Sequence, residues 1–247
     1  RSTHCISSAA SDVYKRQIYK YGVWGSEKVR YGLPVQAYCT PIFYRTDLVK
    51  QMGLEKFPTT WEGYWKFLAV NTKPEKGKYG LGRAGVIAQL PKIFLVHYWS
   101  KSKGKSLLTP DWKPLINGKE GVWALEKFKM EMDKYAPPGV LAWDNPDAAS
   151  AFLKGDTAVY ESWPGFIMSK LNDPTTSNII GKWNITKFPE GGGTNLVQHS
   201  MVIFNTTKNP DAAFEFIAYC TSPEQGKRSF LKYSIFDARE TTYLDPE

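Results

Sequence analysis

Between Asn145 and Gly165 the chain places a helix, a glycine, a strand and an aromatic turn in immediate succession. Asn145 offers an N-cap and Pro146 suits the first helical position, while Ala148, Ala149, Phe152 and Leu153 share one helical face and Gly155 supplies the stop. Thr157–Glu161 is short and β-inclined, and Trp163-Pro164-Gly165 cannot continue a central strand. The order also presents Glu161, Ser162 and Trp163 at a strand's end, where open α/β sheets commonly meet their ligands.

Several function classes are excluded by what surrounds this stretch. No apolar run approaches the roughly 18–20 residues of a membrane-spanning helix. With 42% hydrophobic and 15% aromatic residues, the chain has the material for a core rather than for disorder. The formal charge of +8 invites a nucleic-acid reading, but the lysines are scattered and the densest run, Lys101-Ser-Lys-Gly-Lys105, reads as a solvated loop, so no nucleic-acid partner is expected. Cys5, Cys39 and Cys220 form neither a disulfide framework nor a zinc spacing, and a Cys39–Cys220 bridge is left open. His4, His97 and His199 have no metal-ligand spacing; neither a metal nor a cofactor is expected. Gly80-Leu-Gly82 lacks the third glycine of a dinucleotide loop and the Gly-Lys-Ser/Thr of a phosphate loop.

Taken in order, residues 1–17 are polar and aperiodic and read as a non-native or disordered tail, the run 11–17 resembling a translated adapter. Arg30–Gln36 is extended and enters a loop at Ala37–Thr40; Pro41–Tyr44 is a strand and Asp47–Met52 a helix stopped by Gly53. Thr59 and Glu62 form a capping box for a helix with Trp61, Tyr64, Trp65 and Leu68 inward. A helix over Gln89–Ser100 carries Phe94, Leu95, Tyr98 and Trp99, and another, capped by Asn117 and Glu120, carries Val122, Leu125, Phe128, Met132 and Tyr135 on one stripe. Strands follow at Trp183–Phe188 and Ser200–Asn205, then helices opened by Asn209-Pro210-Asp211 and Ser222-Pro223-Glu224-Gln225.

In this order the segments resemble the carbohydrate-type extracellular solute-binding proteins of ABC importers. The resemblance is carried by Tyr31-Gly-Leu-Pro34 before Ile42-Phe-Tyr44 and Asp47-Leu48, by Phe57-Pro-Thr-Thr-Trp-Glu62, and by Phe152-Leu-Lys-Gly-Asp-Thr-Ala158 with Trp163. Lys208-Asn-Pro-Asp-Ala-Ala213 with Ser222-Pro-Glu-Gln225, and Asp237-Ala-Arg239 before Asp245-Pro-Glu247, complete it. It implies an α/β, two-lobe periplasmic-binding-protein-like fold of type II with the ligand between the lobes. Family members are longer at the N-terminus, so the N-terminal lobe is expected to be incomplete and the chain to bind its solute poorly as it stands. Residues 18–36 and 156–205 are assigned to a remnant of the N-terminal lobe, and 37–155 and 206–247 to the C-terminal lobe.

The same resemblance implies a non-enzymatic, periplasmic or extracytoplasmic protein, membrane-associated only through its transporter and monomeric in full-length form. Its partners would be a carbohydrate or related polar solute and the permease subunits. Trp163 would stack on a sugar face and Glu161 would accept hydroxyls; Tyr38 and Thr40 would contact ligand from a hinge loop, His199 from a strand start, and Trp99 from a helix end. Arg239 would hold a ligand hydroxyl or carboxylate, or else an internal carboxylate. The competing function is a glycoside hydrolase using Glu161 with Asp144 or Asp237, which requires two carboxyls facing one bond.

Overall fold

The structure, a computed structural model, describes residues 32–192, 196–239 and 241–244 together with two short antiparallel strands, Val23–Trp24 (β1) and Val29–Arg30 (β2). The readings for residues 1–17 and 245–247 lie outside the described residues. The chain divides into two compact units, one from Thr40 to Asn195 and one combining the residues up to Cys39 with those from Leu196 onward.

The Thr40–Asn195 unit is built on a four-stranded sheet of Tyr79–Arg83 (β5), Thr157–Glu161 (β6), Ile42–Arg45 (β4) and Trp183–Thr186 (β7), in that spatial order. β5 runs parallel to β6, and β4 is antiparallel to both of its neighbours. Alternation along the strands sends Ile42 and Val159 into one apolar cluster and Phe43 and Tyr160 into another, so the sheet is buried on both faces. On one face pack the helices Trp61–Val70, Leu90–Ser102 and Lys119–Tyr135; on the other packs Asn145–Lys154 with Ile167, Leu171 and Ile179.

The segment Asn145–Gly165 folds as expected in outline. The helix Asn145–Lys154 buries Ala148, Ala149, Phe152 and Leu153, closes at Gly155 with φ +80°, and leads into a fully buried β6. Its cap is shifted by one residue: Asp144 and Asp147 form a reciprocal capping box, and Asn145 occupies the first helical position. In Trp61–Val70 the cap is likewise Thr60, not Thr59, its hydroxyl accepting from the Gly63 amide at 3.2 Å.

The glycines of Gly80-Leu-Gly82 serve packing. A Cβ on Gly80 would lie 2.3 Å from the Leu68 carbonyl oxygen, so only glycine lets β5 approach the helix beside it so closely.

Phe43 of β4 pairs with both Tyr160 of β6 and Ile185 of β7, so the three strands share one sheet inside the Thr40–Asn195 unit. Two expectations about helix faces are corrected. The stripe on Lys119–Tyr135 is rotated: Val122 and Leu125 are 51% and 58% exposed, while Gly121, Ala124, Phe128, Glu131 and Met132 face inward. The inward glutamate explains the rotation, since charged partners await it in the core. On Leu90–Ser102 the buried face is Ile93, Val96, His97 and Tyr98, which leaves Phe94, Leu95 and Trp99 half-buried.

In the other unit, Leu33–Cys39 (β3) pairs antiparallel with Leu196–Met201 (β8). The expected loop at Ala37–Thr40 is therefore strand as far as Cys39, and the strand expected at Ser200–Asn205 ends at Met201. Helices Pro210–Cys220, Pro223–Tyr233 and Thr241–Leu244 complete the described part; Ser222 caps the second of them through the Gln225 amide, as its sequence implies. Cys220 is a free thiol and makes no bridge to Cys39.

Candidate functional site

At the end of β6 the chain leaves the sheet through Ser162 and Trp163 into a single 3-10 turn, Pro164–Phe166. Proline at the start of that turn presets φ and needs no amide partner. The Tyr160 hydroxyl donates to the Trp163 carbonyl at 2.8 Å, Ser162 donates to the Asn145 side chain, and Ile167 and Leu171 anchor the far side in the core. The half-buried indole stands edge-on to Phe166, ring centroids 4.7 Å apart, and lies against Gly165, where a Cβ would come within 3.0 Å of the ring. Trp163 is thus an aromatic surface fixed from both sides at a strand's carboxyl end, suited to a flat apolar ligand face.

Glu161 does something else. It is 0% exposed and belongs to a buried charge network with Arg83, Glu131, Tyr64 and His97. Arg83 donates from Nε to Glu161 at 3.0 Å and from Nη2 to Glu131 at 2.7 Å, and the Tyr64 hydroxyl donates to the other Glu161 oxygen. Trp65 Nε1 donates to Glu131 at 2.8 Å. His97 faces Glu131 through Nε2 and the Ile93 carbonyl through Nδ1, each at 2.9 Å, so both ring nitrogens face acceptors.

Burial opposes ionisation of Glu131, but the charges of His97 and Arg83 outweigh it and hold the carboxyl down at about 2. Burial, followed by the carboxylates of Glu161 and Glu131, pushes the Tyr64 phenol well up. Two carboxylates pair with Arg83 and His97 inside the core, joining β5, β6 and three helices, while Arg83 Nη1 is buried without a hydrogen-bond partner among the described residues. This enclosure engages both oxygens of Glu161, which was expected to accept sugar hydroxyls, with Arg83 and Tyr64. It also removes the shared acid of the hydrolase alternative: Asp144 is a helix cap, Asp237 is 5% exposed and accepts from Thr242, and neither retains Glu161 as an accessible partner.

In the other unit the strand register brings two predicted residues together. Tyr38 pairs with Val197, so His199 is its diagonal neighbour on the same face, and the rings stack 5.8 Å apart at 20°. Tyr38 is 8% exposed and His199 is exposed. Burial raises the Tyr38 phenol. Arg239, expected to hold a ligand hydroxyl or carboxylate or else an internal carboxylate, donates through Nε to the Thr221 carbonyl at 3.0 Å, which satisfies the C-terminal end of helix Pro210–Cys220. Thr40 is 4% exposed, and Trp99 stays half-buried on its helix. A groove of about 410 Å³ lined by Thr72, Tyr79, Met132, Lys134, Pro138 and Leu141 contains none of the predicted residues.

Sequence reasoning missed Arg83, Glu131 and His97. A signal was present in Ala124, Phe128 and Glu131, spaced to share one helical face, and in Ile93, His97 and Ser100, spaced likewise.

The profile of the bacterial extracellular solute-binding proteins matches residues 7–227. The chain belongs to that family. The match begins inside the segment 1–17 that was read as foreign to the fold. Among relatives of this solute-binding protein, a mannitol-binding protein of Pseudomonas aeruginosa is 25% identical over 203 residues, covering 80% of this chain and 46% of that one. A probable ABC transporter-binding protein of Deinococcus radiodurans is 24% identical over 214 residues, 83% of this chain and 50% of the other. The chain spans about half the length of these curated relatives.

Among solved structures, an Agrobacterium vitis ABC transporter solute-binding protein with bound D-mannitol matches with a TM-score of 0.73 and 23% identity, over 88% of this chain and 54% of the other. A maltose-bound Thermotoga maritima protein matches with a TM-score of 0.76 and 24% identity, over 97% and 63%. These likenesses establish the α/β fold of the periplasmic binding proteins, as the sequence resemblance implied. No helix among the described residues is long and apolar enough to cross a membrane.

Proposed function

We propose that this chain is the solute-capturing part of an extracytoplasmic binding protein that delivers a sugar or polyol to an ABC permease, and that it carries out no chemistry itself. Family membership supports the class, and the mannitol- and maltose-bound neighbours support the ligand chemistry. The observation that carries the reading to a site is Trp163, an indole braced at the carboxyl end of β6 by Tyr160, Gly165 and Phe166. A sugar or reduced sugar presents C–H faces that pack on such a ring, with hydroxyls left at the edge for polar groups. Within the other unit taken by itself, His199 stacks on Tyr38 and keeps hydrogen-bonding capacity at an exposed strand position. In this reading Glu161 and its buried partners bind no solute; they fix the strand end from which Trp163 projects.

The test is calorimetric titration with a panel of hexitols, pentitols, mono- and disaccharides, accompanied by an assay for product release. Saturable binding of one or more of them without turnover supports the reading. Released monosaccharide would move the chain to the hydrolases.

A further inference from the structure

We propose that the hairpin 107–115 is a membrane-contact knuckle that seats Trp112 in the headgroup region of an anionic lipid surface. Thr109-Pro-Asp-Trp-Lys113 forms a tight turn. The Trp112 amide donates to the Thr109 carbonyl at 2.9 Å, the Thr109 amide to the Lys113 carbonyl at 2.8 Å, and the Lys113 amide to the Thr109 hydroxyl at 2.9 Å. Asp111 accepts from Thr109 and pairs with Lys113 at 2.9 Å, and the Leu115 amide donates to the Leu107 carbonyl at 2.8 Å. The turn is overdetermined, and at its tip Trp112 adopts φ +64°. Turns of this kind normally place glycine or asparagine there, because a Cβ resists the left-handed region. Trp112 is also 81% exposed, so packing within the fold does not account for a bulky aromatic in that conformation. Local rules broken without a folding gain mark functional positions.

The surroundings select the partner. Leu108 and Leu115 on the same hairpin are 37% and 38% exposed, and between 101 and 120 the chain carries five lysines, Lys101, Lys103, Lys105, Lys113 and Lys119, against Asp111 and Glu120. Lys103 and Lys119 are exposed, and so is Lys105 despite its pairing with Glu120. A projecting indole with flanking leucines inside a lysine collar has the composition of an interfacial anchor: the ring sits at headgroup depth while ammonium groups meet lipid phosphates. A protein partner would have to supply a pocket for the ring, whereas a bilayer surface accepts a convex tip without one. The contact rests on this hairpin alone and is independent of which solute, if any, the chain binds.

The experiment is co-sedimentation of the chain with vesicles of phosphatidylcholine alone and of phosphatidylcholine with phosphatidylglycerol, at low and high ionic strength. Wild type is expected to bind only the anionic vesicles, and less in high salt. Trp112→Gly suits the backbone conformation, so it leaves the melting temperature essentially unchanged while weakening vesicle binding about tenfold or more. Lys103→Gln and Lys119→Gln each weaken binding about fivefold. Vesicle binding that Trp112→Gly leaves intact would reduce the effect to the net charge of +8 and overturn the proposal. Absence of binding at low salt, the result expected of a knuckle made for an acidic protein, would overturn it as well.

Discussion

Trp163 and Glu161 stand two residues apart and have opposite fates. The indole is half-buried on a braced turn, and the carboxylate is enclosed by Arg83 and Tyr64. Trp163→Ala is expected to cost about 1–3 kcal/mol of solute binding, by analogy with other aromatic stacking platforms, while the melting temperature moves little. Unfolding with affinity retained in the folded fraction would place the ring in the core instead. Glu131→Gln is expected to destabilise the chain by about 3–5 kcal/mol, since it leaves Arg83 and His97 facing a lost charge. Glu131 also predicts a pH dependence. Its folded carboxyl, at about 2, lies below the ordinary glutamate value, so its contribution is fully present above about 4.3 and is lost as pH falls toward 2. Urea midpoints measured from pH 5 down to pH 2 should fall in wild type, and the part due to this residue should vanish in Glu131→Gln; identical acid slopes would remove Glu131 from the account. The aromatic turn was legible at this scale because Trp-Pro-Gly is local. The charge network was not, because its members come from positions 64, 83, 97, 131 and 161, and a lone Glu on a helix reads as solvated until its partners are known.

Elements that carry their own punctuation were read well. Asn145–Lys154 with Gly155 and β6 announced themselves through a proline start, a four-residue inward face and a glycine stop. Where a cap has equivalent neighbours the start slips by one, as with Thr59 and Thr60 or Asn145 and Asp144, because only the three-dimensional hydrogen bond chooses between them. The stripe on Lys119–Tyr135 failed for a physical reason: pairing of Glu131 outweighed the hydrophobic pull of Val122 and Leu125. Gly80→Ala would place a methyl 2.3 Å from a helix carbonyl oxygen and is expected to cost about 1–3 kcal/mol in denaturant unfolding. A neutral result would mean that β5 and Trp61–Val70 separate without loss.

At the level of the whole molecule, β6 and β7 join β4 in one sheet, and that long-range choice has no local sequence signature. The other unit exposes much apolar surface among its described residues: Phe204 is 73% exposed, Phe216 61%, Leu231 65% and Tyr219 57%. Surfaces of this kind promote association. Sedimentation at increasing concentration is therefore expected to show self-association that Phe204→Ser with Phe216→Ser diminishes, and a monodisperse monomer throughout would contradict it. The proposed solute site is non-catalytic and built around Trp163. Its most direct measurement is titration of wild type and Trp163→Ala with the same polyols and sugars, carried to millimolar concentration. Saturable binding of at least one of them to wild type is expected, with weakening of about fivefold to 150-fold in the variant and no product release. Superimposable isotherms, or turnover of any glycoside, would contradict it.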